Sequence, residues 1–123
     1  MGLRSNEVDE LIVHLISEGF LNEERFAKAF AGGKFRMKNW GKLKITNALE
    51  SKGISTYCVK VGLAEVDNKD YLRTLQKILL KKETDLAEQN TYMKRNILAR
   101  YAIQKGFEPE LVWSEVKQII PDR

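Results

Sequence analysis

The side chains able to do covalent or metal chemistry are few in this chain. His14 is the single histidine and Cys58 the single cysteine. A catalytic or metal role needs partners that one of each hardly supplies. His14 falls among apolar neighbours in a helical stretch, and Cys58 holds an apolar helical position, so both read as structural. Glu23 and Glu24 are adjacent, which points them about 100° apart on a helix. They read as carboxylates serving a helix N-terminus and not as an acid/base pair. Ala31-Gly32-Gly33-Lys34 ends like a phosphate-binding loop, but it lacks the first glycine, the following hydroxyl and a preceding strand. No metal and no cofactor are expected, and no enzyme.

What the residues could do instead is bind. From Arg25 to Leu49 the chain carries seven basic residues (Arg25, Lys28, Lys34, Arg36, Lys38, Lys42, Lys44) and no acidic one. Phe26, Phe30, Phe35 and Trp40 are interleaved with them. A stretch of one sign makes a local positive potential that attracts phosphates or an acidic protein surface. A solvated basic face is the plainer alternative. Trp40 is either a plug at a helix junction or a flat surface offered to a partner between Lys38 and Lys42. A second basic set, Arg73, Lys77, Lys81, Lys82, Lys94, Arg95 and Arg100, accompanies the later part of the chain. Lys77 and Lys81 stand four apart and share a helix face.

The 123 residues make one domain, or a few small repeated units with a shared core. With 43% hydrophobic and 31% charged residues the chain is too apolar to be disordered, and its formal charge is +4. The longest apolar runs fall far short of a bilayer span, and the N-terminus has acids where a signal peptide needs an apolar core. One cysteine excludes an internal disulfide. A soluble, reducing, intracellular setting is expected.

Helical spacing runs almost throughout. Val8, Leu11, Ile12, Leu15 and Ile16 form a stripe in a first helix, capped by Asn6 and ended by Gly19. Asn22 is expected to cap a second, reaching about Asn39, with Gly32–Gly33 as its weak point. Leu43, Ile45, Ala48 and Leu49 mark a third, Cys58, Val59 and Leu63 a short fourth, and Tyr71 to Leu79 a fifth that opens at Asn68. Glu83–Asn90 reads as a loop. A sixth helix covers about Thr91 to Lys105, and a seventh opens at Glu108–Pro109. Phe26, Phe30, Leu49, Ile54, Phe107 and Trp113 are the expected core.

Three junctions, SEGFLNEE, SKGISTYC and QKGFEPEL, share one grammar. Apolar residues lie four and eight before a glycine, another apolar residue follows it, and then a capped helix. Glycine supplies positive φ, and the residue after it staples the turn. The second and third glycines lie 53 residues apart, about three short helices. The pattern predicts an all-α fold of tandem three-helix repeats in an elongated, curved array of about seven helices.

The segments GFLNEERFAKAF, KFRMKNWGKLKITNALESKGIS and KRNILARYAIQKGFEPELVWSEV, taken in order, resemble the RecX family of bacterial recombinase regulators, over about Val8 to Ile120. The wording around KFR and WGKLKI is most similar to members from the Bacteroidetes. The resemblance implies an elongated helical protein without a catalytic site that lodges in the groove of the RecA filament on single-stranded DNA. Suppression of ATP hydrolysis, strand exchange and LexA co-cleavage would follow, and with it a regulatory role in DNA repair and the SOS response in the cytoplasm. The expected partner-binding residues are Lys34, Arg36, Lys38, Trp40, Lys42 and Lys44, with Lys77, Lys81, Arg95 and Arg100 as a second region. A stand-alone helical module binding single- or double-stranded DNA directly is the alternative.

Family members usually carry further residues ahead of the Gly19–Phe30 motif. The expected division is therefore residues 1–18 as the last helix of an incomplete first repeat, 19–67 as a second repeat and 68–123 as a third. A monomer is expected, with dimerisation through the exposed Val8/Leu11/Leu15 stripe as the other outcome.

Overall fold

A computed structural model describes residues 5–87 and 90–121, and the side chains of 18, 19, 21–87 and 90–121. The roles expected for His14, Phe20 and the Val8/Leu11/Leu15 stripe lie outside the described side chains.

Among the described residues all regular structure is helical. The order is α1 (Ser5–Lys38), α2 (Lys42–Ser51), α3 (Thr56–Leu63), α4 (Asn68–Asp85), α5 (Thr91–Gln104) and α6 (Pro109–Ile119). Helices α1, α2 and α3 pack on one another, and so do α4, α5 and α6, which makes two successive three-helix groups. No helix among the described residues is long and apolar enough to cross a membrane.

The first two expected helices are one. Helix α1 runs 34 residues, roughly 50 Å, straight through Gly19 and Asn22. Positive φ among glycines occurs only at Gly53 and Gly106 of the described residues, so Gly19 makes no left-handed turn. A helical glycine costs about 1 kcal/mol, which the helix formers after it outweigh. The Gly32–Gly33 pair is likewise carried through.

The other two junctions follow the predicted grammar. Gly53 at φ 80 lets the Ile54 N–H return to the Leu49 carbonyl at 3.1 Å, and Gly106 at φ 101 lets Phe107 N–H return to Ala102 at 3.2 Å. Both turns fold the next apolar residue back onto the helix it has just left, and Phe107 becomes fully buried. Side-chain caps open three helices: Ser55 Oγ accepts from Cys58 N–H, Asp67 from Asp70 N–H and Asn90 from Met93 N–H.

Small residues set the tightest packing. Ala27 and Ala31 of α1 are fully buried, and Gly62 of α3 lies so close that a Cβ there would meet the Ala27 carbonyl oxygen at 2.7 Å. Cys58 is buried as a small hydrophobe, as expected. One core then continues across both groups through Ile45, Leu49, Leu75, Leu79, Leu98, Val112 and Val116.

The two groups are joined backbone to backbone. Helix α2 begins at Gly41 without a side-chain cap. Instead Gly41 N–H donates to the Lys105 carbonyl at 2.7 Å and Leu43 N–H to the Gly106 carbonyl at 2.9 Å. A Cβ on Gly41 would stand 2.1 Å from the Gly106 carbonyl carbon, and one on Gly106 would stand 2.4 Å from Lys44 Cβ. Neither clash is with the far end of a flexible chain. Gly41→Ala is therefore expected to cost about 3 kcal/mol or more, since backbone must move to admit the methyl. Chemical denaturation followed by circular dichroism checks this, and a loss below 1 kcal/mol would mean that the two groups are not clasped here.

Candidate partner-binding surface

Helix α1 ends at a left-handed residue, Asn39, with φ 57. Asparagine tolerates that region better than most residues. The turn lets Trp40 N–H reach back to the Lys34 carbonyl at 3.3 Å, so the indole folds onto the face of α1 just traversed. There it meets Phe30 edge to face, with centroids 6.3 Å apart, and Phe30 meets Phe26 at 5.7 Å. The outcome is a ladder of three rings. Trp40 and Phe30 are half-buried against the core, while Phe26 is 43% exposed.

Lysines stand over this ladder. Lys34 Nζ lies 4.9 Å from the Trp40 ring centre and 5.5 Å from that of Phe30. Lys44 Nζ, from α2, lies 4.6 Å from Trp40, and Lys52 Nζ lies 5.7 Å from Phe30. Each such contact is worth about 0.5–1 kcal/mol at an exposed site. More usefully, it holds a flexible ammonium in one place. A fixed array of cations over half-exposed rings can take an acidic protein surface or a phosphate backbone.

The remaining expected residues are placed as follows. Arg36 and Lys38 are exposed at the end of α1, with the Arg36 guanidinium lying over Gly32. Lys42 turns the other way: its Nζ sits 4.7 Å over the Tyr71 ring and donates to Asn68 Oδ1 at 3.2 Å. Lys77 and Lys81 are exposed on α4. Lys81 shares a hollow of about 290 Å³ with Asn39, Lys82, Asp85, Tyr101 and Lys105. The two basic sets thus approach each other at Asn39, the residue before Trp40. Arg95 is half-buried, its Nε donating to the Ile120 carbonyl at 2.7 Å. Arg100 is exposed on α5.

Three expectations need correction. Phe26 and Phe30 belong to the surface ladder and not to the deep core, because the face of α1 toward α3 is taken by Ala27 and Ala31. Ile54 and Trp113 are only half-buried at the core's margin, whereas Leu49 and Phe107 are fully buried. Glu23 serves no N-terminus of its own helix, which does not begin there. Its Oε1 accepts from Ser55 N–H at 2.6 Å and so caps α3 from across the packing. Lys52 was missed, since its place over Phe30 depends on the turn at Gly53.

Beneath the surface lies a buried hydroxyl. Tyr71, on α4, packs on Phe35 and Phe107. Its oxygen accepts from Lys42 N–H at 2.9 Å, and its proton goes to the Glu108 carboxylate. Burial, first, and the hydrogen bond to Glu108 push this phenol well above its ordinary range. Glu108, thus engaged, does not cap its own helix.

The arrangement so far defines a class: a helical-repeat protein that presents an aromatic–basic surface beside the seam between two three-helix groups. Residues 22–63, the second half of α1 through α3, match the family model described as RecX, second three-helix domain. The chain is 27% identical to Regulatory protein RecX of Clostridium acetobutylicum over 98% of its own length and 58% of the relative's. It is 28% identical to that of Clostridium perfringens strain 13, over 96% and 56%. With Regulatory protein RecX of Finegoldia magna it shares 30% identity over 81% and 50%. No solved structure matches significantly. Residues 22–63 thus carry the pattern of a RecX three-helix domain, and nearly the whole chain is similar to RecX regulatory proteins. It spans 50–58% of the length of these relatives.

Tyr71→Phe leaves Lys42 N–H and the Glu108 carboxylate without their shared partner, at a cost of about 1–3 kcal/mol. The pH dependence has a definite sign. The folded phenol is raised above its unfolded value, so its contribution is fully present below about pH 10 and lost as the unfolded chain ionises above that. Urea melts of the wild type and Tyr71→Phe across alkaline pH test both. Stability curves that stay parallel above pH 10 would contradict this role for Tyr71.

Proposed function

We propose that the chain binds RecA filaments on single-stranded DNA and restrains RecA activities (ATP hydrolysis, strand exchange and LexA co-cleavage) without catalysis of its own. In the cytoplasm this would make it a regulator of recombinational repair and the SOS response. The observation that carries the reading is the Phe26–Phe30–Trp40 ladder under Lys34, Lys44 and Lys52, located on the unit that matches a RecX domain. A filament offers repeated acidic and polar surface, and a row of positioned cations with half-exposed rings suits it.

In this reading Lys34, Arg36, Lys38, Trp40 and Lys44 make the first contact region, and Lys77, Lys81 and Arg100 the second. Lys42 and Arg95 act from within the fold, one under Tyr71 and Asn68, the other on the last turn of α6. The division into residues 1–18, 19–67 and 68–123 as the tail of one repeat and two whole repeats is part of the same proposal.

The test is RecA ATP hydrolysis on single-stranded DNA with this protein titrated in at constant salt. Inhibition at substoichiometric amounts is expected, and none in excess protein would sink the reading. Lys34→Glu with Lys44→Glu should raise the inhibitory concentration about tenfold or more while circular dichroism stays unchanged. Should the protein instead bind an oligonucleotide without RecA, with log K falling steeply against log salt, and leave RecA untouched, the stand-alone DNA-binding reading replaces this one.

A further inference from the structure

The second three-helix group has a cleft of its own that the ladder does not use. It lies on the outer side of α5 against α4, encloses about 320 Å³, and is lined by Lys82, Met93, Asn96, Ile97, Arg100 and Tyr101, among others. Its floor is apolar. Ile97 and Tyr101 are half-buried, and Met93 stays 46% exposed. Its rim is cationic, with Lys82 and Arg100 on its walls, and among the described residues no carboxylate lines it. Lys105 adds a further positive charge close by, its Nζ 5.6 Å from the Tyr101 ring centre.

We propose that this cleft is a docking site for an acidic peptide segment that inserts one aliphatic side chain. Charge complementarity selects the acidic character, since Lys82 and Arg100 stand on its walls and no carboxylate among the described residues lines it. The apolar floor selects the anchor, since the volume admits one or two aliphatic side chains and the methionine adapts to their shape. A nucleobase fits less well. Lys82 Nζ stands 4.8 Å and Lys105 Nζ 5.6 Å from the Tyr101 ring centre, so two ammonium groups compete with a base for that ring. Those lysines are instead held where a carboxylate beside the anchor would meet them. The site lies in the other three-helix group from the ladder and shares only Arg100 with the contact regions proposed above, so the peptide test below is read without RecA.

The probe is a short fluorescein-labelled peptide of aspartate and glutamate with one central leucine, followed by fluorescence anisotropy. Saturable binding is expected, and replacing the leucine with alanine should weaken it about tenfold, the worth of one buried aliphatic side chain. Arg100→Glu, at an exposed position, should weaken it to a similar degree, whereas Lys44→Glu on the ladder should not. Three results would each overturn the proposal: no binding, equal binding of the leucine and alanine peptides, or equal sensitivity to Lys44→Glu and Arg100→Glu. An oligothymidylate that displaces the peptide and itself loses affinity on Arg100→Glu would assign the cleft to nucleic acid instead.

Discussion

A helix that begins with glycine has no side chain with which to satisfy its first N–H groups, and everything else in this molecule follows from how α2 solves that problem. Its donors at Gly41 and Leu43 are taken by the carbonyls that end α5, and the donor between them, Lys42 N–H, by the Tyr71 hydroxyl. Positive and negative helix ends therefore meet head to tail, which the dipoles favour. Each of these three donors would cost up to about 1–3 kcal/mol if left unmet out of reach of water. The two three-helix groups are accordingly parts of one object, and separating them would leave α2 uncapped. The closeness also dictates residue type, because only glycine at both 41 and 106 lets the backbones approach so far.

The binding surface inherits its order from this clasp. Trp40 immediately precedes Gly41 and follows the left-handed Asn39, so the indole is held between a fixed helix end and a fixed helix start. Lys44, in the first turn of α2, reaches the same ring. A surface assembled from α1, the turn and α2 could be loose if those elements moved independently. The clasp removes that freedom, so the rings and ammonium groups are ordered in advance of any binding.

How much of this was legible in the sequence depended on range. Gly53 and Gly106 were readable because a left-handed turn and the apolar residue that staples it are neighbours in the chain. Gly19 carried the same local wording and misled, since a glycine penalty of about 1 kcal/mol is small beside a long run of helix formers. The basic, aromatic stretch from Arg25 to Leu49 was visible as composition. Its geometry was not, because Phe26 and Phe30 have the spacing of a core stripe, and only the small residues Ala27 and Ala31 decide which face turns inward. The Glu23–Ser55 cap and the Gly41–Gly106 approach join residues remote in sequence, and no local rule announces either.

Tyr71 makes the last point about what kind of protein this is. A strongly raised pKa in a cleft is a common sign of acid–base chemistry. Here the hydroxyl is taken up within the fold. Its proton is committed to Glu108, its lone pair to Lys42 N–H, and its ring to Phe35 and Phe107. The perturbation is thus the consequence of using one phenol to bind α2, α4 and the start of α6 together. Glu115 is employed in the same way, buried on α6 and accepting from Gln76 of α4 at 3.0 Å. Buried polar groups in this fold fix the relative placement of helices, and the placement of helices sets the positions of cations at the surface. In the proposed function, recognition depends on charge held at set distances, and the interior polar groups serve that end.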